Sequence, residues 1–288
     1  MIPGSFSYHR PSSVQEAVGL LTKLGDAGRA LAGGHSLIPM MKLRLATPEN
    51  LVDLGGIADL KGIRSDGNDL VIGAMTTQHD LIGSELVAAK LPILKETSLQ
   101  IADPQVRYLG TVGGNVANGD PGNDMPALMI TLGATYVLSG PGGERRVPAR
   151  DYYLGLYETA ARPGEVLAAI RVPKPPAGHG FAYEKLKRKV GDYATAAAAV
   201  ILTVSGGRVA TCAIGLTNVA ETALMAGDAA AAVIGSALDK ATLARASAAA
   251  TAAASPAADG RGSAEYRARM AGVMTARALA RAFARARS

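Results

Sequence analysis

Apolar and polar residues alternate with two different periods along the first fifty positions. Ser13 stands directly before an apolar stretch with helical spacing that starts at Val14, and Glu16 lies at the spacing of a capping box. Gly25 ends this segment. The following pattern predicts a strand at 29–32, a helix at 37–45 and a strand at 50–54. Together with a first short strand, this order predicts a unit of the α/β or α+β class.

The pattern changes after residue 57 and again near residue 177. Glycines separate strand-like runs near 63 and at 70–72, 136–138 and 167–172, with helical stretches at 78–89 and 127–132. The segment Lys174-Pro175-Pro176-Ala177-Gly178 cannot continue a helix or a strand, so it predicts a domain boundary. Beyond it we expect strands at 183–187, 197–205 and 208–216, and Ala-rich helices at 222–235, 240–253 and 263–286.

Composition excludes several classes of protein. The chain has 288 residues, 48% of them hydrophobic, but no run of 18 apolar residues, so no membrane-spanning helix is predicted. The N-terminal residues lack a charged segment followed by an apolar stretch, which favours a cytoplasmic protein. Cys212 is the only cysteine, expected in the core, and the four histidines share no ligand spacing, so no metal site is predicted. Any redox centre is therefore expected to be organic.

Basic residues give the chain a formal net charge of +6 and are unevenly placed. Seven arginines but one acidic residue follow position 260, and residues 185–189 hold a second cluster. Basic surfaces can bind nucleic acid. Here the clusters lack the aromatic residues that stack on bases, and no recognition motif is present, so we expect no nucleic-acid binding. The C-terminal arginines fit the solvated or partner-facing side of a helix.

The first of two glycine turns is Gly33-Gly34, followed by His35 and Ser36. Paired glycines let the backbone approach a ligand and reach positive φ. Ser36 can cap the next helix, whose free amides and dipole make an anion site. The alternative is an ordinary left-handed turn with a helix cap. His79, which follows Thr77 at a predicted helix start, is expected to have a structural role.

The second glycine turn lies in the segment 110–126. Five glycines, three asparagines and two aspartates occur within these seventeen residues. Thr111 and Asn115 can bond phosphate oxygens, and Asp124 can accept hydrogen bonds from ribose hydroxyls or adenine; the alternative is a polar surface loop. Neither turn matches the Rossmann or P-loop spacing. The two turns, about 80 positions apart, can grip one pyrophosphate from both sides through their main-chain amides.

Several segments along nearly the whole chain resemble one protein family. AGGHSLIPMMKLRL (32–45), IGAMTTQHDL (72–81) and IADPQVRYLGTVGGNVANGDPGNDMPAL (101–128) are similar to the FAD-binding subunit of molybdenum hydroxylases. YEKLKRKVGDYATAAAAV (183–200) and GSAEYRARMAGVMTARAL (262–279) fit the same family. Within it, GHSLIPMMKLRLA, VRYLGTVGGN, GNDMPA and KRKVGDYAT most closely resemble the medium subunits of aerobic carbon monoxide dehydrogenases.

This resemblance implies an α+β fold of the vanillyl-alcohol-oxidase (PCMH) type. An FAD-binding domain at 1–177 would consist of two α+β subdomains, at about 1–55 and 56–177, that clasp FAD. A C-terminal flavoprotein domain at 178–288 would add a three-stranded sheet with helices. These limits agree with the boundary predicted from the proline-rich segment.

The resemblance also implies which residues bind FAD. The pyrophosphate would lie between 32–36 and 111–115, with Asp124 at the adenosine portion and Tyr193 near the isoalloxazine. Lys185 would reach the polar edge of the flavin, and Ile101, Ala102 and Leu167 would border the flavin or adenine pockets. The complete predicted set, with no catalytic or metal-binding residue, is Ala32, Gly33, Gly34, His35, Ser36, Leu37, Ile101, Ala102, Thr111, Gly113, Gly114, Asn115, Asp124, Leu167, Lys185 and Tyr193.

The function implied is electron transfer in a carbon monoxide dehydrogenase. A large subunit would hold the molybdenum cofactor with copper, and a small subunit two 2Fe-2S clusters, in a dimer of heterotrimers. Electrons would pass from the clusters through FAD to a quinone, and the basic C-terminus suits association with the inner face of the cytoplasmic membrane. The alternatives are the FAD subunit of another molybdenum hydroxylase, acting on an N-heterocycle or aldehyde, and a non-catalytic assembly module.

Overall fold

A small parallel sheet with two helices forms the N-terminal part of this computed structural model, which describes residues 2–287. Its elements are β1 (Ser7–His9), α1 (Val14–Leu24), β2 (Gly28–Leu31), α2 (Leu37–Lys42) and β3 (Asn50–Asp53). The strands lie in the order β1-β3-β2, all parallel. Ser13 Oγ accepts a hydrogen bond from the Glu16 amide at 3.1 Å, which explains why α1 begins there. The predicted alternation of strands and helices is confirmed.

A five-stranded antiparallel sheet follows, with a group of short helices. The elements are β4 (Ile63–Asp66), β5 (Asp69–Gly73), α3 (Gln78–Gly83), α4 (Glu85–Lys90), α5 (Pro92–Gln100), α6 (Pro104–Leu109), α7 (Val112–Ala117), α8 (Asp124–Thr131), β6 (Thr135–Gly140), β7 (Gly143–Pro148), β8 (Tyr153–Gly155), β9 (Glu158–Thr159) and β10 (Val166–Pro173). The main sheet has the order β4-β5-β10-β6-β7, and β8 pairs with β9 alone.

Two predictions for this region were wrong in detail. The helix expected at 78–89 is divided into α3 and α4, because Ser84 is extended (φ −75°, ψ 117°) and caps α4 through the Val87 amide. Part of the segment expected as a polar loop forms α7, because Thr111 Oγ1 caps this helix through the Gly114 amide at 3.0 Å. Glycine lowers helix propensity, so the local sequence does not reveal a helix whose support is tertiary.

The C-terminal part is a sheet covered by helices on both faces. Its elements are β11 (Gly180–Leu186), β12 (Ala196–Ser205), β13 (Arg208–Thr217), β14 (Leu224–Met225), α9 (Gly227–Ala231), α10 (Lys240–Ala253) and α11 (Ala264–Ala286). The expected three strands are present, and β14 extends them to four in the order β11-β12-β13-β14. Strand β14 lies within the segment 222–235, which was predicted as one helix, so that prediction was wrong for these residues. The helix is reduced to α9.

The residues of β11 and β12 alternate between two cores. Tyr183, Ala197 and Ala199 pack into the core of the preceding sheet and its helices. Ala182 and Ala198 belong to the core beneath α10 and α11. Because side chains alternate along a strand, Lys185 lies on the same face as Tyr183, two residues away. The third sheet therefore presents Lys185 towards the preceding sheet and its helices.

Candidate functional site

A cavity of about 990 Å³ lies where the three sheets approach one another. Gly28 of β2, Leu167 of β10 and Lys185 of β11 all belong to its wall. Its volume is at the upper end of the roughly 300–1,000 Å³ range of cofactor and small-molecule sites. The wall includes every residue predicted from the sequence: Ala32, Gly33, Gly34, His35, Ser36, Leu37, Ile101, Ala102, Thr111, Gly113, Gly114, Asn115, Asp124, Leu167, Lys185 and Tyr193.

The first glycine turn presents main-chain amides that have no protein acceptor. It connects the end of β2 to the start of α2, and Gly34 has a φ of +74°, which an L-residue rarely adopts. No described residue accepts a hydrogen bond from the amides of 33–37, and Ser36 provides no side-chain cap. Five consecutive amides of residues that line the cavity are thus free to donate to an anion.

The second glycine turn has a different role from the one predicted. The amides of Val112 and Gly113 donate to Thr76 O and Ala74 O, both at 2.9 Å. The Gly114 amide donates to Thr111 Oγ1, and the Asn115 amide to Thr111 O at 3.1 Å. The expectation that this turn offers its amides to a phosphate is therefore wrong for these four residues. The Thr111 amide and the Thr111 hydroxyl proton remain as possible donors.

The two glycine turns touch each other. A Cβ atom built on Gly33 would lie 2.1 Å from Leu109 O and 2.9 Å from Gly110 Cα. One built on Gly114 would lie 3.3 Å from Ala32 Cβ. The bends, distant in the sequence, thus converge as predicted, and Gly33 must be glycine because a Cβ there would overlap main-chain atoms of the second segment.

These features fit a dinucleotide with a diphosphate. The free amides of the first turn supply donors for phosphate oxygens, and the glycines let the two turns pack together in the wall of the cavity. Gln78, which also lines the cavity, has an Nε2 atom without a hydrogen-bond partner in the described residues. A buried unpaired donor facing a ligand site is what a polar cofactor would satisfy. The residues present therefore fit FAD.

Asp124 and Lys185 form a buried ion pair in the wall of the cavity. Lys185 Nζ lies 2.8 Å from Asp124 Oδ2, and the two side chains are 1% and 5% exposed. Tyr183 Oη donates to Asp124 Oδ1 at 2.5 Å. Burial, followed by the Asp124 charge, raises the pKa of Tyr183 well above its ordinary value, so the phenol keeps its proton. Both carboxylate oxygens already accept hydrogen bonds from the protein. Because Asp124, expected at the adenosine, contacts Lys185, expected at the polar edge of the flavin, the two residues lie at the same part of the cavity and do not mark opposite ends of a ligand.

The turn at Ile101 and Ala102 is held in a strained conformation. Ala102 has a φ of +45°, which costs a non-glycine residue on the order of 1–2 kcal/mol. Arg107 Nη1 stabilises this turn by donating to Ile101 O at 2.9 Å and to Ala102 O at 3.4 Å. Strain that the surroundings maintain is typical of functional sites. The turn presents the 8% exposed Ile101 side chain to the cavity.

Tyr193 closes another side of the cavity. Its ring packs on Gly122, where a Cβ would lie 3.0 Å from Cδ1, and 40% of the residue remains exposed. Burial, with a smaller effect of the Asp120 charge, raises the Tyr193 pKa, so its hydroxyl is protonated at neutral pH. The Arg261 guanidinium lies 5.8 Å from the ring centre. A neutral aromatic ring at this position can pack against a planar ligand.

The other residues singled out in the sequence have structural positions. His79 stacks on Tyr108 with ring centres 4.0 Å apart. Cys212 is partly buried, and burial raises the pKa of its thiol to about 12, so the thiol is protonated. No group of metal-binding side chains is found within residues 2–287. None of the helices in that range is long and apolar enough to cross a membrane.

Comparison with known proteins decides the family. Residues 4–175 match the model of the FAD binding domain in molybdopterin dehydrogenase, and residues 181–282 match that of the CO dehydrogenase flavoprotein C-terminal domain. The chain belongs to the FAD-binding subunits of the molybdenum hydroxylases. The predicted resemblance and the α+β fold are confirmed. Residues 4–175 of this flavoprotein subunit form its FAD-binding domain.

Relatives of this flavoprotein subunit cover its whole length. The carbon monoxide dehydrogenase medium chain of Afipia carboxidovorans is 68% identical over 288 residues, 100% of both chains. That of Hydrogenophaga pseudoflava is 53% identical over 285 residues, 99% of both chains. A structure of reconstituted CO dehydrogenase from Oligotropha carboxidovorans superimposes with a TM-score of 0.98 at 68% identity, covering 99% of this chain and 100% of that chain.

The sequence did not identify Gln78 as a site residue. It lies in the segment IGAMTTQHDL, where Thr77 indicates the start of a helix. The sequence of this segment does not indicate which polar side-chain atoms will lack a hydrogen-bond partner in the fold. Glu165 and Tyr157 also line the cavity and were not predicted. The signal that would have found them is tertiary, because each comes from a segment far in sequence from both glycine turns.

Proposed function

We propose that this chain is the flavoprotein subunit of a molybdenum-containing carbon monoxide dehydrogenase. It would carry electrons from the 2Fe-2S clusters of a partner subunit through FAD to an external acceptor, a quinone. The observation that carries the proposal is the row of free amides at Gly33–Leu37 beside a second glycine turn, in a chain 68% identical to a carbon monoxide dehydrogenase medium chain. Relatives named for aldehyde or nicotine substrates are less similar, at 35% and 32% identity.

The chain's residues would bind and orient the cofactor. The amides of 33–37 would donate to the diphosphate, with the Thr111 hydroxyl as a further donor. Lys185, fixed by Asp124, would place a positive charge beside the cofactor, and Tyr193 would pack against it. Bound FAD supplies the electron-carrying chemistry, while the protein contributes position and electrostatics. The sixteen predicted residues are therefore proposed as the cofactor contacts.

The partners follow from the same proposal. A large subunit would hold the molybdenum cofactor with copper, and a small subunit the 2Fe-2S clusters, in a dimer of heterotrimers. A structure that superimposes on this chain with a TM-score of 0.98 is of a Cu,Mo-CO dehydrogenase. The domain limits 1–177 and 178–288 are proposed to separate FAD binding from the C-terminal flavoprotein domain, because the two family models meet between residues 175 and 181.

The complex is proposed to work in the cytoplasm, against the inner face of the membrane. Arg269 and Arg277 are exposed on α11 and can approach anionic lipid. Sedimentation of the complex with vesicles of anionic lipid tests this location. Salt-sensitive association is expected, and no association at low salt would contradict it.

Anaerobic addition of carbon monoxide to the assembled complex tests the function. The flavin absorbance should bleach, and a quinone should restore it. A complex that assembles with its 2Fe-2S clusters but contains no flavin would instead support the assembly module. Bleaching by an aldehyde or an N-heterocycle, but not by carbon monoxide, would assign the chain to another molybdenum hydroxylase.

A further inference from the structure

Gln78 is a buried amide in the wall of the cavity with half of its hydrogen-bonding capacity unused. The residue is 2% exposed and begins helix α3. Its Oε1 accepts a hydrogen bond from Ser98 Oγ at 2.9 Å, which fixes the plane of the amide. Its main-chain amide donates to Gly110 O at 2.9 Å, so the same residue supports the second glycine turn. Within residues 2–287, Nε2 has no acceptor.

An unpaired buried donor is costly. Leaving such a group without a partner costs about 1–3 kcal/mol, and buried amides in native proteins are nearly always satisfied. Within the described range, other buried side-chain atoms lacking a partner belong to Thr97, His179 and Arg261, and these residues do not line the cavity. Among these residues, only Gln78 has both a buried donor without a partner and a place in the cavity wall. We therefore expect an acceptor atom on the ligand to bind this donor.

The surroundings of Gln78 show which part of the ligand it serves. The Ile101 amide donates to Ser98 O at 3.1 Å, so the partner of Gln78 belongs to the strained turn at Ile101 and Ala102. Lys185 Nζ donates to Gln100 O at 3.3 Å from the opposite domain. Gln78, Ile101 and Lys185 therefore surround the C-terminal end of α5. The family resemblance gives Lys185 to the polar edge of the flavin, so we take this end of the cavity as the place of the isoalloxazine, with Asp124 there as the partner of Lys185.

We propose that Gln78 donates a hydrogen bond from Nε2 to a carbonyl oxygen or ring nitrogen of the isoalloxazine and sets the position of the ring. This inference rests on the proposed FAD site. Ser98 is the positioning residue that aims the amide. A donor at a ring acceptor stabilises the electron-rich reduced ring more than the oxidised one, so Gln78 also raises the reduction potential of the bound flavin.

Gln78→Met tests this role because it keeps the length of the side chain and removes the donor. The assembled complex is stripped of FAD and reloaded, and the FAD dissociation constant and flavin midpoint potential are measured. We expect binding to weaken roughly three- to tenfold, the loss of one net hydrogen bond, and the midpoint potential to fall. Thr97→Val is the matched control, because Thr97 also has an orphaned hydroxyl in α5 but does not line the cavity. It should change neither quantity.

Gln78→Glu provides a second test if Gln78→Met does not fold. It keeps the shape and the acceptor for Ser98 but carries no donor when ionised, so it should also weaken FAD binding at neutral pH and lower the potential. Either folded variant with wild-type affinity and potential would overturn the inference. A wild-type complex that takes up no FAD would instead refute the proposed function, so the two failures are distinguishable.

Discussion

Gly33→Ala should separate the two glycine turns. The new Cβ would lie 2.1 Å from Leu109 O, 2.8 Å from Leu109 C and 2.9 Å from Gly110 Cα. All three are main-chain atoms, so no side-chain rotation relieves the overlap. The first turn must move away from the second by about 1 Å to restore an ordinary contact.

This displacement should act mainly on FAD binding. A hydrogen bond of about 2.9 Å that is lengthened by about 1 Å is no longer formed. The amides of 33–37 have no protein acceptor, so the protein itself loses little. Bonds to a charged group contribute about 1.5–3 kcal/mol each, and losing two costs about 3–6 kcal/mol. The dissociation constant for FAD should rise roughly 10²- to 10⁴-fold.

Titration of the FAD-free complex with FAD, followed by fluorescence, measures this change. Gly19→Ala is the matched control, because Gly19 lies within α1 and a Cβ there meets nothing within 4 Å. It should bind FAD normally and gain roughly 0.5–1 kcal/mol of stability. If folded Gly33→Ala binds FAD within about threefold of wild type, the first turn does not hold the diphosphate.

Three further predictions concern stability. Asp124→Asn removes the buried partner of Lys185 and should lower the unfolding free energy by about 3–5 kcal/mol in urea titrations; a loss below about 1 kcal/mol would contradict the pairing. Arg267→Met leaves buried carbonyls unpaired and should cost about 3 kcal/mol or more, seen as a lower Tm; an unchanged Tm would refute this. Burial raises the Glu165 pKa, but the hydrogen bonds and charges of Arg145 and Arg162 together lower it by more, so the net pKa is depressed. This stabilisation is present above about pH 4.5 and lost as pH falls through the folded pKa. Glu165→Gln should therefore reduce the fall in unfolding free energy with decreasing pH in the acid range; an unchanged slope of unfolding free energy against pH would contradict this.

The sequence predicts those elements whose burial pattern is local. Helices α1, α10 and α11 and strands β12 and β13 were expected close to their observed limits, because helical spacing, Ala-rich composition and the Ser205-Gly206-Gly207 turn are all local signals. Strand β7 was not expected, because its GERRVP sequence is mostly polar and its place at the sheet edge depends on pairing with β6. Helix α7 was missed because its stability comes from the Thr111 cap and from packing on Ala74.

The sequence predicted which residues line the site more accurately than it predicted what each residue does there. Two glycine pairs in different segments indicated one shared ligand site, and all predicted residues do line one cavity. Which amides are free could not be read from the sequence. The Gly113 amide donates to Ala74 O, 39 positions earlier in the chain, and is therefore not free. Ser98 donates to Oε1 of Gln78, while Nε2 of the same side chain has no acceptor among the described residues. Such facts depend on pairing between distant segments.

The two glycine turns therefore need glycine for different reasons. In the first turn, Gly34 permits a φ of +74° and Gly33 permits close approach to the second segment, and the amides of this turn stay without a protein acceptor beside the cavity. In the second turn, a Cβ on Gly113 would lie 2.5 Å from Ala74 O, so this glycine lets α7 pack against the turn that follows β5. The first turn supplies donors and the second supplies the wall that holds them in place. A pyrophosphate bound as proposed would therefore be bonded chiefly by the first turn and confined by the second.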